Sequence, residues 1–559
     1  MLKTKIKNPI IPGFHPDPSI CRVDDDFYLV TSSFSFYPGV PIFHSRDLAN
    51  WEQIGYVLDR PEQLPLPGSY SMLSGGIFAP TIRYHEGTFY MITTNMSRGF
   101  RNFIVTAQNP AGPWSDIYVI EDAVGIDPSL FFDDDGKVYY TGTIRVNEED
   151  GNGQAIWGSE IDLDQMKLVG EKKILWKGAM EKSFSPEGPH IYKKDGWYYL
   201  MIAEGGTEHF HAVTISRSKE VLGNYEGYEG NPILTHRHLG KEYPICNVGH
   251  GDLVQLKDGS WYMVMLGSRL IEGYHKILGR ETFIAPVVWE DGWPIVSLGT
   301  GKIELEYPIP DSLTESNNGL NVNGLPTETD TDFKEKKLGY EWNEIGNHKE
   351  GDYRLSENGL ELRLIQNELV PWEIDGESSN VFERFSLMKR EKKVGFIGRR
   401  QQHIAFHAKT ELCFEPEAGE AAGIVVLQND SNQIRVEYRL NESGKKEVAC
   451  ISTRTVVREN KQYFEEQIHG KMLLADDQND IWLKVNGRGI HYSVSVGIAD
   501  ENGQIGYRQI AENVDASFMG SETSGGYIGA YIGLFAFAKQ DTEKYVQFKH
   551  FSYGEENAK

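Results

Sequence analysis

The sequence predicts an all-β protein of two domains, the first of which is a propeller of five blades. One short pattern recurs five times within the first 265 residues. Its copies recur roughly every 50 to 60 residues, which is the length of a propeller blade. The chain also contains 58 glycines and 12% aromatic residues, with few long helical patterns, as expected of strands joined by many tight turns.

Each copy of the pattern ends in an aromatic strand that lies about 10 to 12 residues after its start. The first residues of the copies are Asp17, Ala79, Asp127, Glu187 and His250. The innermost strands of equivalent blades surround one axis, so these first residues are expected to meet at one end of it. Residues that are distant in sequence are thereby predicted to form one cluster containing three carboxylates.

Turns separate the strands of the first half. Asp-Gly pairs at 195–196, 258–259 and 291–292 stand between apolar segments, and both residues tolerate the positive φ that tight hairpins need. The acidic run at 133–135 occupies the same place in its copy. It is therefore interpreted as a turn in preference to a metal-binding loop.

The composition of the sequence changes after the fifth copy. Residues 1–315 are assigned to the propeller and residues 316–332 to a linker, because this stretch is polar and poor in large apolar residues. Residues 333–559 are assigned to a β-sandwich. Several of its segments alternate apolar and polar residues, and a period of two suits an antiparallel sandwich.

Composition restricts the partners and the compartment. The formal net charge of −25 argues against a nucleic-acid or anionic-membrane surface, since phosphate binding needs clustered Lys and Arg, but it leaves a neutral ligand such as a sugar open. Cys21, Cys246, Cys413 and Cys450 lack metal-ligand spacing and are interpreted as reduced thiols, with a Cys413–Cys450 pair left open. The sequence has no long apolar run, so we expect a soluble, cytoplasmic protein.

The predicted cluster points to acid–base chemistry. Asp17, Asp127 and Glu187 are expected to face one small cavity in which Ala79 leaves space. Three adjacent carboxylates cannot all remain ionised without cost, so at least one pKa must rise. A protonated carboxyl and an ionised neighbour form the acid and base that glycoside hydrolysis requires. If the copies were only capping turns, one residue type would recur at this position, whereas acidic, small and basic residues occur there.

The neighbours of each carboxylate suggest its role. Glu187 lies between prolines and close to Phe184, a poorly solvated setting that favours a general acid. Asp17 lies between Pro16 and Pro18, which restrict the backbone and suit a base that must hold one water. Asp127 is expected to raise the pKa of Glu187 and to orient it.

Five motifs in this order resemble glycoside hydrolase family 43, and more narrowly its β-xylosidases and xylosidase/arabinofuranosidases. They are 14–19 (FHPDPS), 125–129 (GIDPS), 185–190 (SPEGPH), 249–254 (GHGDLV) and 278–282 (LGRET). The resemblance covers nearly the whole chain and implies a five-bladed propeller, a C-terminal concanavalin-like sandwich and hydrolysis with inversion. It makes Asp17 the general base, Glu187 the general acid and Asp127 the pKa modulator, and it makes Arg280 a ligand of sugar hydroxyls or of a carboxylate.

His250 occupies the axial position of the fifth copy. In some proteins that resemble this chain the equivalent histidine holds a divalent cation, often calcium, through a largely hydrated shell. Calcium prefers oxygen ligands, so one imidazole among waters would be a weak site. A calcium ion at His250 and a metal-free hydrogen-bonding role are both kept as expectations.

The pocket walls are expected to be aromatic, because sugars stack on rings. Phe36, Tyr37 and Phe78 are the candidates, although packing in the core is an equal alternative for each. Thr207, which follows two glycines, is expected at the rim of the pocket. The resemblance implies that a sandwich loop closes the pocket so that only one or two sugars fit. Tyr527, in a glycine-rich segment of the sandwich, is the candidate for that loop, with an ordinary strand and turn as the alternative.

These features predict an inverting exo-glycosidase that releases terminal xylose from short β-1,4-xylooligosaccharides, with α-L-arabinofuranosyl groups as a further substrate. The alternatives are an enzyme that is primarily an α-L-arabinofuranosidase and a non-catalytic sugar-binding propeller. A fructan hydrolase would carry an Asn-Asp-Pro-Asn-Gly start, and a sialidase would carry repeated Ser-x-Asp-x-Gly-x-Thr-Trp boxes; the sequence has neither. The resemblance also implies a homo-oligomer, either a dimer or a tetramer.

Overall fold

The computed structural model describes residues 5–64, 73–98, 101–146, 153–180, 184–314, 325, 327–347, 349–366, 393–458, 461–540 and 542–556. They form five small antiparallel sheets followed by two larger ones, which confirms the predicted all-β fold with its propeller and sandwich. The described helices are short; they are α1 (Asp311–Thr314), α2 (Ser521–Ser524) and 3-10 turns at Met96–Arg98, Ser297–Gly299 and Ser517–Met519. None of these helices has the length or apolar character needed to cross a membrane.

The five blades follow β1 (Lys5–Lys7) in chain order. Blade 1 contains β2 (Ser19–Val23), β3 (Asp26–Val30), β5 (Gly39–Ser45) and β6 (Glu52–Leu58), with β4 (Phe36–Tyr37) outside the sheet. Blade 2 contains β7 (Thr81–His85), β8 (Thr88–Asn95), β9 (Arg101–Ala107) and β10 (Tyr118–Val119). Blade 3 contains β11 (Ile126–Phe132), β12 (Val138–Arg145), β13 (Gln154–Asp162), β14 (Lys167–Leu168) and β15 (Lys173–Trp176).

The last two blades complete the ring. Blade 4 contains β16 (Glu187–Lys194), β17 (Trp197–Glu204), β18 (Ala212–Ser218), β19 (Glu226–Gly227) and β20 (Leu234–Thr235). Blade 5 contains β21 (Ile245–Gln255), β22 (Trp261–Arg269), β23 (Glu281–Glu290) and β24 (Trp293–Val296), and β25 (Glu306–Pro308) follows it. Beyond blade 5, β25 pairs antiparallel with β1, which ties the start of the propeller to its end.

Apolar faces of neighbouring blades pack against each other around the ring. Ile42 of blade 1 and Met91 of blade 2 belong to one apolar cluster. Another apolar cluster contains Leu29 of blade 1 and Val264 of blade 5, so the first and last blades also pack together. The first strand of each blade lies innermost and contacts the first strands of its neighbours. This arrangement brings the starts of the five copies to one axis, as the repeat predicted.

The C-terminal domain has two facing sheets. One sheet has the order β28 (Tyr353–Ser356), β29 (Gly359–Arg363), β40 (Tyr545–Glu555), β31 (Ala405–Cys413), β36 (Asp480–Arg488), β37 (His491–Ala499) and β38 (Ile505–Asp515), with β26 (Thr329–Thr331) on β40. The other has the order β35 (Lys461–Leu473), β34 (Lys446–Arg458), β33 (Asn432–Leu440), β32 (Glu420–Asn429), β39 (Tyr531–Ala538), β30 (Gly395–Arg400), β27 (Trp342–Ile345) and β4. Alternating side chains such as Leu483, Val485 and Val436 fill the core between the sheets.

The boundary between the domains differs from the expected one in two places. Strand β26 lies inside the predicted 316–332 linker but pairs with β40 of the sandwich. Strand β4 lies inside the propeller sequence but pairs with β27, so the propeller supplies an edge strand to a sandwich sheet. The two domains therefore share backbone hydrogen bonds as well as an apolar contact.

All four cysteines are free. Cys413 lies on β31 and Cys450 on β34, which belong to opposite sheets, and Cys450 is buried in the core between them. The expectation of unpaired thiols agrees with this arrangement.

Candidate active site

Three residues at the axial ends of the innermost strands share an unusual backbone conformation. Asp17, Asp127 and His250 have φ angles of 54°, 55° and 48°. Such angles are strained for L-residues other than glycine and are found where the surrounding structure holds them. The strain turns these side chains toward the axis at the position where the copies begin.

The fourth blade departs from the predicted alignment of the copies. Ile126 pairs with Thr143 before a bulge in blade 3, and Glu187 pairs with Ala203 before the equivalent bulge in blade 4. Glu187 therefore corresponds to Ile126, one residue before the axial position, and Gly188 corresponds to Asp127. The bulge inserts an extra residue and re-aims the side chains beside it, which the spacing in the sequence did not reveal.

Gly188 is required at its position for two reasons. Its φ is 59°, in the left-handed region. A Cβ atom on it would lie 2.7 Å from Nε2 of His250, closer than van der Waals contact permits. The absence of a side chain in blade 4 thus makes room for the histidine of blade 5.

Asp17 is buried and surrounded by donors. Ser32 Oγ donates to its Oδ2 at 2.6 Å, and Arg280 Nη1 donates to its Oδ1 at 2.9 Å. Nδ1 of His250 lies 3.6 Å from the same Oδ1. Burial acts to raise the pKa of Asp17, but the charges of Arg280 and His250 and the Ser32 hydrogen bond outweigh it and hold the pKa below its ordinary value. Asp17 is therefore kept ionised.

Glu187 has the opposite environment. Burial, and next the negative charges of Asp127 and Asp17, raise its pKa well above the ordinary range, against the smaller effect of Arg280. The pKa of Asp127 is raised too, mainly by burial, while a 3.1 Å hydrogen bond from the Gly188 N–H to its Oδ2 favours its ionised form. The cluster thus contains one carboxyl whose ionised form is favoured and another whose protonated form is favoured.

His250 is buried at the floor of this cluster. Its Nδ1 faces Asp17, and its Nε2 faces the backbone of Gly188. Among the described residues, no three His, Cys, Asp or Glu side chains converge in a way that could hold a metal ion. Calcium takes 6–8 oxygen ligands, so an ion at His250 would need water for most of its shell, and no chemical step is assigned to a metal.

The sandwich loop predicted to reach the pocket does so. The main-chain oxygen of Tyr527 accepts a 2.9 Å hydrogen bond from Nη2 of Arg280, and its N–H donates to Ser74 Oγ at 2.9 Å. Burial, with the nearby charge of Glu187, raises the pKa of the Tyr527 hydroxyl. Arg280 therefore joins the ionised carboxylate of the propeller to the loop of the sandwich.

The aromatic residues at the site are only partly those expected. Phe78 lies there, with its ring centroid 6.0 Å from that of Tyr527. Phe34, which sequence reasoning missed, lies 5.1 Å from Phe78 and 6.1 Å from Tyr527, and the Arg280 guanidinium is 5.7 Å from its ring. These rings form one wall next to Arg280.

The expectation for Phe36 and Tyr37 is corrected by the structure. Both residues form β4, and this strand belongs to a sandwich sheet. Phe36 is fully buried and stacks on Tyr531 with centroids 3.9 Å apart, while Tyr37 donates its hydroxyl to the Asp59 carbonyl. Pairing with β27 places Phe36 in the apolar core between the domains, while Tyr37 packs against the core of the first two blades.

Thr207 lies, partly exposed, in the loop that follows β17.

Two further residues at the site were not predicted. Ser32 has no feature in the sequence that separates it from its neighbours Thr31 and Ser33. His211 is buried beside Gly249, donates its Nδ1–H to the Asn247 carbonyl at 2.8 Å, and is kept neutral because burial lowers its pKa to about 3.

A polar layer lies one step below the carboxylates along the axis. Asp252, fully buried, accepts hydrogen bonds from Ser19 Oγ at 2.7 Å, from Arg83 Nη1 at 2.8 Å and from the Tyr192 hydroxyl at 2.6 Å. Nη2 of Arg83 also donates to Nδ1 of His190 at 3.0 Å. This network joins blades 1, 2, 4 and 5 and fixes the strand ends that carry the cluster.

The chain matches two known sequence families over most of its length. Residues 6–294 match glycosyl hydrolases family 43, and residues 330–554 match the beta xylosidase C-terminal concanavalin A-like domain. Both matches agree with the propeller and the sandwich of the structure.

Similar proteins span nearly the same length. A xylosidase/arabinosidase of Butyrivibrio fibrisolvens is 44% identical over 98% of this chain and 99% of its own. A non-reducing end alpha-L-arabinofuranosidase of Bacteroides ovatus is 36% identical over 95% of this chain and 91% of its own. A solved structure of a xylan beta-1,4-xylosidase from Bacillus halodurans superposes with a TM-score of 0.85, at 32% identity over 98% of this chain and all of its own.

A pair of carboxyls with opposite protonation tendencies, as found at one end of this propeller, suits the hydrolysis of a glycosidic bond. Taken with the matches over both domains, they lead to one conclusion: the chain belongs to glycoside hydrolase family 43.

Proposed function

We propose that the protein is an inverting exo-glycosidase that releases terminal xylose from short β-1,4-xylooligosaccharides. The observation that carries the proposal is one cluster in which Arg280 and Ser32 hold the carboxylate of Asp17 while Glu187 lies beside two other carboxylates, so that the pKa is lowered at Asp17 and raised at Glu187. The names of its relatives, which include beta-xylosidases and xylosidase/arabinosidases, support the choice of a pentose.

In this mechanism Asp17 is the general base. Its carboxylate takes a proton from a water molecule while the water oxygen attacks the anomeric carbon. Ser32 and Arg280 hold the two carboxylate oxygens, so the base keeps one orientation during the step. Nucleophilic attack by water in a single displacement inverts the anomeric configuration.

Glu187 is the general acid. Its carboxyl proton passes to the glycosidic oxygen as the bond from that oxygen to the anomeric carbon breaks, so the sugar leaves as a neutral alcohol. Asp127 supports this step in two ways. Its negative charge raises the pKa of Glu187, and its hydrogen bond to the Gly188 N–H orients the backbone next to the acid.

The wall beside the carboxylate cluster supports an exo mode of action. Tyr527 and Phe34 stand beside Arg280, so a sugar chain has little room to extend past that wall. The non-reducing end is then the part of the substrate that reaches Asp17 and Glu187.

A second substrate is favoured by the relatives, since one is named for arabinofuranosidase activity and another for both activities. Terminal α-L-arabinofuranosyl groups are proposed as this substrate. Parallel assays with aryl β-D-xyloside and aryl α-L-arabinofuranoside measure the preference directly.

The main test is proton NMR of xylobiose hydrolysis. The proposal expects α-xylose to appear first from the cleaved, non-reducing unit and to mutarotate afterwards. If β-xylose appears first, the enzyme retains configuration and the roles given to Asp17 and Glu187 are wrong. Binding of xylobiose without turnover would instead indicate a non-catalytic sugar-binding propeller.

Three further properties belong to the proposal. A cytoplasmic location suits an enzyme that acts on short, importable oligosaccharides, and cell fractionation tests it. A homo-oligomer is tested by light scattering. Calcium at His250, with water completing its shell, is tested by assays with and without chelator, and a loss of activity that added calcium restores would support it.

A further inference from the structure

The loop that carries Tyr527 is anchored to the propeller through a buried lysine. Lys276 lies on the segment that leads to Arg280 and is 1% exposed. Its ammonium forms an ion pair with Glu208, which follows Thr207 in the loop after β17. A buried ammonium needs such an anion, because burial of an unpaired charge is costly.

Glu208 also accepts hydrogen bonds from two other segments. Asn247 Nδ2, at the start of β21, donates to its Oε2 at 3.0 Å. Ser521 Oγ, at the first residue of α2 in the sandwich, donates to its Oε1 at 3.1 Å. One carboxylate thus joins the rim loop of blade 4, the innermost strand of blade 5, the segment of Lys276 and the sandwich.

A second set of contacts runs beside the first. Oε1 of Glu522 lies 2.9 Å from Nδ1 of His275, and its Oε2 accepts the Lys276 N–H at 3.2 Å. Further along, the Ala530 N–H donates to the Ile277 carbonyl at 3.0 Å. The sandwich segment 521–530 is therefore attached to the propeller at both of its ends.

Tyr527 lies between these attachments. Its carbonyl accepts from Arg280, and Arg280 in turn holds Asp17. Loss of the attachment at Ser521 would loosen this end of the loop, where the Glu522 contacts remain, and shift the wall beside Arg280, while the carboxylates themselves stay on the propeller strands.

We propose that Glu208, Lys276 and Ser521 form a clamp between the domains that holds the sandwich loop closed over the pocket and so restricts the substrate to short oligosaccharides, an inference that rests on the glycosidase function proposed above. Glu208 and Lys276 are positioning residues. They act through Tyr527 and Arg280 and so affect substrate fit more than proton transfer.

The kinetic test uses Ser521→Ala and the double variant Glu208→Gln/Lys276→Met, which removes both charges and leaves neither one unpaired. Loss of one hydrogen-bonded attachment is expected to raise KM for xylobiose by about tenfold, with kcat changed less than about threefold. The ratio of kcat/KM for xylotetraose to that for xylobiose is expected to rise, because an open loop admits longer chains. Unchanged KM and chain-length preference in both variants would overturn the clamp.

Hydrogen–deuterium exchange tests the clamp without reference to activity. Amides of 521–530 are expected to exchange faster in the double variant than in the wild type. The matched control is Lys137→Met/Glu160→Gln, which removes a 2.7 Å ion pair inside blade 3 and is expected to leave 521–530 unchanged. If the wild type hydrolyses no pentoside, the proposed function fails while the exchange result still decides the clamp; equal exchange in wild type and variant would refute it.

Discussion

At the scale of single residues, the chemistry depends on how differently two neighbouring carboxyls are solvated and paired. Asp17 has Arg280, His250 and Ser32 around it, and Glu187 has the charges of two carboxylates. Both are acids of similar intrinsic strength, so the protein alone separates their protonation states. Opposite environments within one cluster are the usual way in which one site contains an acid and a base at the same pH.

Replacing Asp17 by Asn keeps the size of the side chain and removes the base. We expect kcat on xylobiose to fall about a hundredfold to ten-thousandfold with KM little changed, because only the transition state needs the proton acceptor. Asp24→Asn is the control, since Asp24 is an exposed aspartate of the same blade with φ of 53°. Steady-state kinetics with near-normal kcat in Asp17→Asn would remove Asp17 from the mechanism.

Replacing Glu187 by Gln removes the proton donor. The loss is expected to be large, about a hundredfold or more, for xylobiose, whose leaving sugar needs protonation. It is expected to be smaller for an aryl xyloside, because a phenolate leaves with less assistance. Comparing kcat/KM for the two substrates measures this, and equal losses on both would contradict an acid role.

The pH dependence of kcat/KM follows from the two displaced pKa values. The rate should fall as pH drops through the lowered pKa of Asp17, where the base becomes protonated. It should fall as pH rises through the raised pKa of Glu187, where the acid loses its proton. Asp127→Asn removes a negative charge beside Glu187, so the descending limb should move to lower pH. If the descending side of the pH profile does not move, Asp127 does not modulate the pKa of Glu187.

At the scale of the element, the bulged start of the innermost strand in blades 3, 4 and 5 decides where a side chain points. In blades 3 and 5 the residue in the bulge is an aspartate or a histidine aimed at the axis, and in blade 4 it is Gly188, with Glu187 one position earlier. The same kind of bulge thus positions the side chains of Asp127, Glu187 and His250, and in blade 4 it places Gly188, which has no side chain, at the axis. The lack of a side chain at Gly188 is as necessary as the side chains, because the ring of His250 occupies the space beside it.

Gly188→Ala tests this requirement, with Gly196→Ala as its matched control. Both glycines have positive φ, 59° and 73°, so each substitution is expected to cost about 1 kcal/mol of backbone strain. A Cβ at Gly196 meets no atom within 4 Å, whereas one at Gly188 meets the ring of His250. We expect kcat/KM to fall only in Gly188→Ala. Urea unfolding and kinetics measured together show whether the activity loss exceeds the shared strain.

At the scale of the whole molecule, the two domains behave as one structure around the site. Strand β4 joins a sandwich sheet, Phe36 stacks on Tyr531, and Tyr527 completes the pocket from the sandwich side. The three carboxyls of the cluster belong to the propeller, and the wall beside them belongs partly to the sandwich. Separation of the domains would therefore leave the chemistry in place and remove the limit on substrate length.

Phe36→Ala measures how strongly the domains hold together. Removing a fully buried ring from their shared core is expected to destabilise the protein by about 3–5 kcal/mol. Differential scanning calorimetry should show a lower transition temperature, or two separate transitions if the domains uncouple. A change in KM without loss of stability would return Phe36 to the pocket wall, where the sequence had suggested it.

The sequence by itself determined the repeat, the blade number, the sandwich and the identity of the three carboxylates. These depend on local patterns, namely strands of alternating polarity, Asp-Gly turns and an acidic residue at the start of a copy, and such patterns survive without knowledge of distant contacts. It also selected Arg280, Phe78 and Tyr527, which the structure places at the site.

Only the tertiary structure decided which residues face which. The bulge of blade 4 moved Glu187 one residue from the predicted alignment, pairing with β27 took Phe36 into the core, and Phe34 took its place beside Arg280. Ser32 and the clamp of Glu208 with Lys276 and Ser521 join residues up to 313 positions apart. Strand pairing, bulges and contacts between domains depend on side chains that meet only after folding, and no local pattern in the sequence records those meetings.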